Sequence, residues 1–235
     1  MQTETVKDPV KIQSMFSEVA ENYDKANTVL SMGIHHLWRN QLVNWAGLEH
    51  EEKILDCATG TGDLALKMKR MSPNSEVVGT DFCEPMLDKA REKDPAGDVD
   101  FQFADAMSLP FPTQSFDLVT ISFGIRNVMD PVIAMSEMFR VLKPGGRLMV
   151  LEFGQPKLRW FERVYNFYSL NILPRIGGWV TGQRTAYQYL QSSSAAFPCS
   201  DGFAKLMKKA GPWKSVQHKS LTGGIAYLYK AEKSE

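Results

Sequence analysis

The order of β-rich and helical segments in the middle of the chain constrains its fold more than any other feature. The β-rich runs cover residues 54–55, 76–80, 99–103, 116–121 and 147–153. Helical patterns stand between them: one runs from Asp63 to Arg70, Pro85 opens a second, and Asp130-Pro131 begins a third. Strands that alternate with helices predict a parallel sheet with helices on both faces.

The two ends of the chain depart from this alternation. Residues 1–50 are predicted to be helical and contain no strand pattern. Ser200 is expected to cap a short helix that Gly211 ends. Residues 213–221 and 225–230 flank a Gly-Gly turn and predict an antiparallel hairpin. The fold class is therefore α/β, with a mostly parallel sheet that finishes in an antiparallel hairpin.

Composition excludes several classes of protein. Lys and Arg total 27, as do Asp and Glu, so the 235 residues carry no formal net charge. Proteins that bind nucleic acid normally carry a basic face and a high pI, so no nucleic-acid partner is expected. No run approaches the roughly 18–20 apolar residues of a membrane span, and the first residues lack the apolar core of a secretory signal. With three scattered cysteines, which favour a reducing compartment, a cytoplasmic location is expected.

A glycine-rich turn between the first strand and the first helix of the alternating region is the sharpest local feature. It reads Asp56-Cys57-Ala58-Thr59-Gly60-Thr61-Gly62-Asp63. Gly60 and Gly62 allow the backbone to approach a ligand closely, and free N–H groups at a helix N-terminus bind polar or anionic groups. The same letters fit the loose dinucleotide pattern G-x-G-x-x-G/A, so the turn alone does not choose between ligands.

Polar side chains also follow the next three strands. Asp81 ends the second strand, where a carboxylate can accept both hydroxyls of a ribose. Asp105 follows the third strand, where it can accept from an exocyclic adenine amine, and Ser122 ends the fourth. Because the strand ends of an open α/β sheet meet at one crevice, the series predicts a ligand site there. Each Asp taken singly could instead be a helix cap or a turn former.

Longer motifs carry a resemblance to a known family. They are Met15-Phe16, Tyr23-Asp24, Trp38-Arg39, Leu109-Pro110-Phe111, Phe123-Gly124-Ile125-Arg126-Asn127, Lys143-Pro144-Gly145-Gly146, Glu152-Phe153, Leu173-Pro174, Tyr189-Leu190 and Leu221-Thr222-Gly223-Gly224. On these motifs the chain resembles, from about Phe16 to Tyr229, the S-adenosylmethionine-dependent C-methyltransferases of ubiquinone and menaquinone biosynthesis. The Phe-Gly-Ile-Arg-Asn and Leu-Thr-Gly-Gly motifs are far more specific than Lys-Pro-Gly-Gly.

The resemblance implies a Rossmann-like class I methyltransferase with a seven-stranded sheet, and it favours S-adenosyl-L-methionine over NAD as cofactor. Matched position by position, it implies cofactor contacts from Thr61, Asp81, Asp105, Ala106 and Ser122, beside the glycines Gly60 and Gly62. Ala58 departs from the general methyltransferase turn, which has its first glycine there. No metal is expected, because the histidines are unpaired except His35-His36, and adjacent residues on a helix do not share a face.

The resemblance also implies the reaction: C-methylation of a polyprenylated quinol, either demethylmenaquinol, the methoxy-polyprenyl-benzoquinol of the ubiquinone pathway, or both. Arg126 and Asn127 match the family's Arg-Asn pair, and Tyr23 matches a residue near cofactor and acceptor. Because arginine stays protonated, Arg126 is expected to hold a phenolate or to orient a water that relays its proton. The alternative for Arg126 is a salt bridge to an acid of the N-terminal helices.

Aromatic residues crowd the segment after Pro156. They are Trp160, Phe161, Tyr165, Phe167, Tyr168 and Trp179. One interpretation is core packing or a homodimer contact, since aromatic side chains dominate both. The other is a lid and tunnel wall for the polyprenyl tail, with Trp160, Trp179 and Arg175 near the lipid interface. The second interpretation adds a peripheral contact at the inner face of the membrane.

A single methyltransferase domain is expected, because the chain shows no internal repeat or long linker. Its parts are a helical cap (1–50), a cofactor-binding core (51–153), an aromatic lid region (154–199) and a closing helix and hairpin (200–235). Two other functions stay open: a methyltransferase for another lipid or natural product, and a non-catalytic subunit of a quinone-synthesis assembly. The specific motifs argue against the first, and the intact predicted site residues argue against the second.

Overall fold

The structure is a computed structural model that describes residues 8–156 and 184–235, together with positions 163, 167, 168, 170 and 175. Its helices are α1 (Pro9–Val19), α2 (Tyr23–Ser31), α3 (Ile34–Ala46), α4 (Asp63–Met71), α5 (Glu84–Glu92), α6 (Pro131–Val141), α7 (Arg184–Ala196) and α8 (Asp201–Ala210). None of the helices in the described part of the chain combines the length and apolar character that crossing a membrane requires.

The described strands form one seven-stranded sheet. They are β1 (Lys53–Cys57), β2 (Glu76–Asp81), β3 (Asp100–Phe103), β4 (Phe116–Ser122), β5 (Leu142–Phe153), β6 (Trp213–Leu221) and β7 (Ala226–Lys233). Their order across the sheet is β3-β2-β1-β4-β5-β7-β6. The first five strands pair in parallel, and β7 pairs antiparallel with both β5 and β6. The predicted α/β fold with a closing hairpin is confirmed.

This strand order creates the crevice in which ligands of such sheets bind. The chain moves outward from β1 to β3 on one side and then returns to place β4 on the other side of β1. A topological switch point of this kind opens a crevice at the carboxyl ends of the strands. The ends of β1 and β4 therefore lie at the centre of the predicted site.

Both faces of the sheet are covered, which explains the nearly continuous apolar runs of its central strands. Along β5, Leu148 and Val150 face one apolar layer, whereas Met149 and Leu151 face the other. Helices α6 and α8 supply the first layer, and α3, α4 and α5 supply the second. The prediction of helices on both faces is confirmed.

The N-terminal helices form a cap over the crevice. Val19, Ala26 and Leu30 of the cap pack with Cys83 and Met86, which lie just beyond the end of β2. The 3-10 turn Ala20–Asn22 joins α1 to α2. The all-helical character predicted for the start of the chain is confirmed for residues 8–50.

Two local predictions were wrong. Strand β5 begins at Leu142 rather than Arg147, because Leu142 already pairs with Phe116 and the intervening Lys-Pro-Gly-Gly run bulges out of the ladder. Ser200 precedes α8 but its side chain makes no cap hydrogen bond. Instead, its φ is +55° and its backbone N–H donates to the Tyr229 hydroxyl at 2.7 Å. Strand β7 thus fixes the residue before α8 through the backbone of Ser200 rather than through a side-chain cap.

Candidate active site

The glycine-rich turn connects the end of β1 to the start of α4. Gly60 and Gly62 have φ of +58° and +78°, in the left-handed region that favours glycine. A Cβ on Gly62 would lie 2.8 Å from the Phe101 ring, so no larger residue fits there. Ala58 also has a positive φ, +48°, at the position where methyltransferase turns have a glycine. The backbone of the turn is therefore held against the crevice at a cost in strain.

Asp81 locks this turn from the end of β2. One carboxylate oxygen accepts from the Gly60 N–H at 2.8 Å, and the other accepts from the Cys83 N–H at 2.9 Å. Burial raises the pKa of Asp81 to about 6, and these N–H bonds oppose the rise. Each carboxylate oxygen has a second lone pair, so Asp81 can also accept from two hydroxyls of a ligand.

Most of the predicted cofactor residues line a single cavity of about 150 Å³. The predicted residues on its wall are Gly60, Asp81, Asp105, Ala106 and Ser122, together with Asn127 and Tyr23. Asp105 accepts from the Met107 N–H at 2.8 Å, which leaves its second oxygen for a ligand. The Ser122 hydroxyl is buried and has no hydrogen-bond partner among the described residues. A buried polar atom of this kind calls for a partner, and a bound nucleoside would supply one.

Thr61 lies apart from that wall and binds the helical cap. Its hydroxyl donates to Asp24 at 2.6 Å and accepts from Lys93 at 3.0 Å. Lys93 also forms ion pairs with Asp24 and, at 2.8 Å, with Asp63. The role of Thr61 as a cofactor contact stays a prediction, and the structure gives it a second role that links α2 to the turn.

A second cavity of about 720 Å³ lies beneath the cap, and its walls are mainly apolar. It is bounded by side chains from α1, α2, α3, α7 and the segments that follow β4 and β5. Phe16, Tyr23 and Phe123 line both cavities, so the two spaces adjoin. Phe123 has a φ of +59°, which is an outlier for a bulky residue. Strain of this kind gathers at functional sites, and here it places an aromatic ring on the boundary between the cavities.

Arg126 lies in the wall of the large cavity and is 5% exposed. Its Nη1 donates to Glu152 Oε1 at 2.8 Å and to the Phe123 carbonyl. Its guanidinium carbon lies 5.1 Å from the centroid of the Phe153 ring. The sequence left open a salt bridge from Arg126 to an acid of the N-terminal helices. That prediction was wrong about the partner, because the acid is Glu152 at the end of β5. Nε of Arg126 is buried without a hydrogen-bond partner among the described residues.

The side chain of Glu152 is buried, with 1% of its surface exposed. Its Oε1 also accepts from the Phe153 N–H at 2.8 Å and its Oε2 accepts from the Arg126 backbone N–H at 3.3 Å, so both carboxylate oxygens are held. The sequence interpretation missed its role, although an acid at the end of an otherwise apolar strand is itself a signal. Because burying a charge without a partner is costly, Glu152 holds the guanidinium in place as well as neutralising it.

We expect Glu152→Gln to lower the free energy of unfolding by about 3 kcal/mol, because a buried ion pair is broken on one side. Equilibrium urea unfolding measures the change. The matched control is Glu76→Gln, which removes an exposed ion pair to Lys53 and should cost less than about 1 kcal/mol. Equal losses in the two variants would contradict the assignment of Glu152 as the residue that fixes Arg126.

Asn127 and two tyrosines complete the polar part of the site. The Tyr189 hydroxyl from α7 donates to Asn127 Oδ1 at 3.3 Å. Burial raises the pKa of both Tyr23 and Tyr189, so both phenols stay protonated at neutral pH. Tyr189 was not among the predicted site residues, although its Tyr-Leu motif carried part of the resemblance. The three side chains are hydrogen-bonding groups and not strong bases.

The structure brings His35 and His36 closer together than the helix argument predicted. Their ring centroids are 3.9 Å apart, and with Asp63 they form a group whose ligand atoms lie within 4.8 Å of one another. Asp63, however, is already paired with Arg39 at 3.0 Å and Lys93 at 2.8 Å. Two cations at this carboxylate disfavour a third. The expected absence of a metal stays a prediction.

Comparison with known proteins identifies the family. The family model described as the ubiE/COQ5 methyltransferase family matches residues 3–233. The ubiquinone/menaquinone biosynthesis C-methyltransferase UbiE of Bdellovibrio bacteriovorus is 56% identical over 224 residues, which are 94% of this chain and 95% of that protein. The demethylmenaquinone methyltransferase of Thermus thermophilus is 46% identical over 221 residues, 93% of this chain and 100% of that protein.

Solved structures share the fold at lower identity. A SAM-dependent methyltransferase of Thermotoga maritima gives a TM-score of 0.68 at 20% identity and covers 95% of this chain and 100% of its own. A phosphoethanolamine N-methyltransferase of Haemonchus contortus, solved with S-adenosyl-L-methionine, gives 0.61 at 17% identity, covering 84% of this chain and 52% of its own. The sequence matches decide the family, and the chain belongs to the ubiE/COQ5 methyltransferase family.

Proposed function

We propose that the chain transfers a methyl group from S-adenosyl-L-methionine to a ring carbon of a reduced, polyprenylated quinone. One observation carries the proposal: a small cavity at the strand ends, with Asp81 and Asp105 on its wall, adjoins a large and mainly apolar cavity that contains Arg126. The names of the relatives, ubiquinone/menaquinone biosynthesis C-methyltransferase and demethylmenaquinone methyltransferase, agree with it.

The small cavity is the proposed site for the nucleoside end of the cofactor. Asp81 would accept from the ribose hydroxyls, and Asp105, beside Ala106, from the adenine amine. The unpaired Ser122 hydroxyl supports this placement. Gly60, Thr61 and Gly62 would bind the polar amino-acid end of the cofactor near the start of α4. When bound, the cofactor supplies an electrophilic methyl group on a sulfonium.

The large cavity is the proposed site for the acceptor ring and its tail. A quinol becomes a carbon nucleophile when a ring hydroxyl loses its proton, because the phenolate charge spreads to the ortho carbon. Arg126 would stabilise that charge, as positively charged donors do in a preorganised site. Tyr23 lines both cavities and Asn127 lines the small one, and both would orient the same hydroxyl. Because Arg126 and Asn127 are not bases and Tyr23 is protonated, a water would be the proton's first acceptor.

The cap contributes by excluding water from the reaction. Phe16 and Tyr23 line both cavities, and the Thr61 hydroxyl links the turn to α2 through Asp24. Methyl transfer from a sulfonium to a phenolate merges a cation and an anion, so a dry site favours it over the separated charges. Alignment of the two reactants in adjoining cavities would supply much of the remaining acceleration.

The test of the proposal is methyl transfer to each candidate acceptor. Reduced demethylmenaquinol and the reduced methoxy-polyprenyl-benzoquinol, which differ by one fused ring, are each incubated with S-adenosylmethionine. We expect transfer to at least one of them and none to either oxidised quinone, because only the quinol can form a phenolate. Transfer to neither quinol would overturn the proposal.

A peripheral membrane contact is part of the proposal, since the tail of the acceptor dissolves in the bilayer. Val29, Met32 and Leu37 are exposed at the corner between α2 and α3, and Met32, 77% exposed, also lines the large cavity. Met32 and Leu37 flank the start of α3 in the positions of a hydrophobic staple. The proposed lid residues Trp160, Phe161, Tyr165 and Trp179 lie outside the described residues, and so do the homodimer contacts that they were expected to provide.

We expect the double substitution Met32→Glu and Leu37→Glu to reduce flotation with quinol-containing liposomes about tenfold, because two buried apolar side chains are worth several kcal/mol at an interface. The control is Met71→Glu, an exposed methionine at the far end of α4. Equal flotation of the double variant and the wild type would contradict a membrane contact at this corner.

A further inference from the structure

The wall of the large cavity carries polar groups that the proposed reaction does not use, and two of them form a pair. His35 at the start of α3 and Ser31 at the end of α2 both line the cavity, and His35 is 5% exposed. Trp38, one turn beyond His35, packs edge-on against Phe153 with ring centroids 6.3 Å apart. Phe153 in turn lies beneath the Arg126 guanidinium. His35 and Arg126 therefore belong to the same aromatic-walled space.

The hydrogen bonds of Ser31 fix which nitrogen of His35 carries the proton. The Ser31 hydroxyl donates to the Asn27 carbonyl at 2.7 Å, and a carbonyl can only accept. A serine has a single hydroxyl proton, so the 2.6 Å contact between Ser31 Oγ and His35 Nδ1 must run from Nδ1–H to Oγ. In the neutral ring, Nε2 then carries a lone pair and can only accept.

The surroundings keep this ring neutral. Burial, the Arg39 guanidinium and the neighbouring His36 lower the pKa of His35 to about 4, against the opposing charge of Asp63. No described residue donates a hydrogen bond to Nε2. In a neutral imidazole whose Nδ1–H is already bonded, Nε2 is a hydrogen-bond acceptor that a ligand hydroxyl can use.

We propose that His35 Nε2 accepts a hydrogen bond from the quinol hydroxyl that Arg126 does not hold, and so selects the reduced acceptor over the oxidised quinone. This inference rests on the proposed function. A quinol offers an O–H at both ring oxygens, whereas a quinone offers only carbonyl lone pairs, which would face the lone pair of Nε2. Rejection by an unpaired polar group is more effective than the loss of an apolar contact. Ser31 acts by holding the tautomer.

The test compares the Michaelis constant for the quinol with the inhibition constant of the oxidised quinone. We expect His35→Phe to raise the quinol KM about fivefold, as one neutral hydrogen bond is lost, with a smaller change in kcat. The same variant should bind the oxidised quinone more tightly, so the inhibition constant of the quinone divided by the quinol KM should fall. His35→Gln, which keeps an acceptor near Nε2, should restore most of the ratio. The control His36→Phe, at the exposed neighbour, should leave it unchanged.

Two further measurements keep the outcomes distinct. An unchanged dissociation constant for S-adenosylmethionine shows that the variants fold. Nitrogen-15 chemical shifts of labelled histidine in the wild type should show protonated Nδ1 and unprotonated Nε2 for His35, and the opposite tautomer would overturn the inference. If the wild type methylates the quinol but His35→Phe keeps the wild-type ratio, the inference about His35 is refuted and the proposed function is not. A wild type that methylates neither quinol refutes the proposed function.

Discussion

Arg126→Gln is expected to lower kcat for quinol methylation about 100-fold, the usual cost of losing a charged donor at a developing oxyanion. The dissociation constant for S-adenosylmethionine should stay within about threefold of the wild-type value, because Arg126 does not line the small cavity. Glutamine keeps a polar amide but carries no charge to stabilise a phenolate, and its amide nitrogen falls near the position of Nε, which has no partner among the described residues. Steady-state kinetics and calorimetric titration of the cofactor separate the two effects.

The controls for Arg126 address folding and surface charge. Arg126→Gln leaves the Glu152 carboxylate buried without its ion-pair partner, which destabilises the fold. The double variant Arg126→Gln with Glu152→Gln removes both charges and should recover stability without recovering turnover. Arg91→Gln, an exposed arginine on α5, should keep wild-type turnover. Unchanged turnover in Arg126→Gln would end its assignment to the reaction.

Asp81→Asn is expected to weaken cofactor binding about 100-fold, because hydrogen bonds to a charged group contribute roughly 1.5–3 kcal/mol and the ribose would receive two of them. The carboxylate now accepts from the Gly60 and Cys83 N–H groups through one oxygen each, and the amide keeps an acceptor for only one of them. Calorimetric titration with S-adenosylmethionine measures the loss. The control is Asp98→Asn, an exposed carboxylate beyond α5, which should leave the affinity unchanged.

The pH dependence of cofactor binding follows from the same residue. The pKa of Asp81 is raised to about 6, so the carboxyl takes up its proton as the pH falls through that value. A protonated Asp81 accepts less well, and cofactor affinity should fall about tenfold between pH 7 and pH 5. The pKa of Asp56 is also raised to about 6, but its carboxylate accepts from Thr59 and Thr120. The Asp81→Asn variant distinguishes the two carboxyl groups. If its cofactor affinity still fell between pH 7 and pH 5, the assignment of the pH dependence to Asp81 would be contradicted.

Sequence order allowed the cofactor side of the site to be predicted well. The carboxyl ends of parallel strands meet at one edge, so residues placed at strand ends by local patterns had to converge. Asp81, Asp105 and Ser122 do line one cavity. Thr61 shows the limit of this reasoning, because its bond to Asp24 depends on how the helical cap packs, and no local pattern specifies that.

The acceptor side depends on neighbours that are distant in the sequence. Glu152 meets Arg126 because β5 lies beside β4 with Ser122 paired to Leu151, which sets the two strand ends level. Tyr189 reaches Asn127 across 62 positions in the chain. Such contacts depend on the order of the strands and on the packing of the helices, and neither can be predicted from local patterns in a single sequence. The motifs marked these residues as important without showing what they touch.

The most direct test of the central claim is the position of the transferred methyl group. Methyl-labelled carbon-13 S-adenosylmethionine is incubated with each reduced quinol, and the product is examined by nuclear magnetic resonance and mass spectrometry, with Arg126→Gln as the low-activity control. The proposed site predicts a labelled methyl on a ring carbon ortho to a hydroxyl, at a rate that depends on Arg126. A labelled methyl on a ring oxygen, or no labelled product from either quinol, would contradict it.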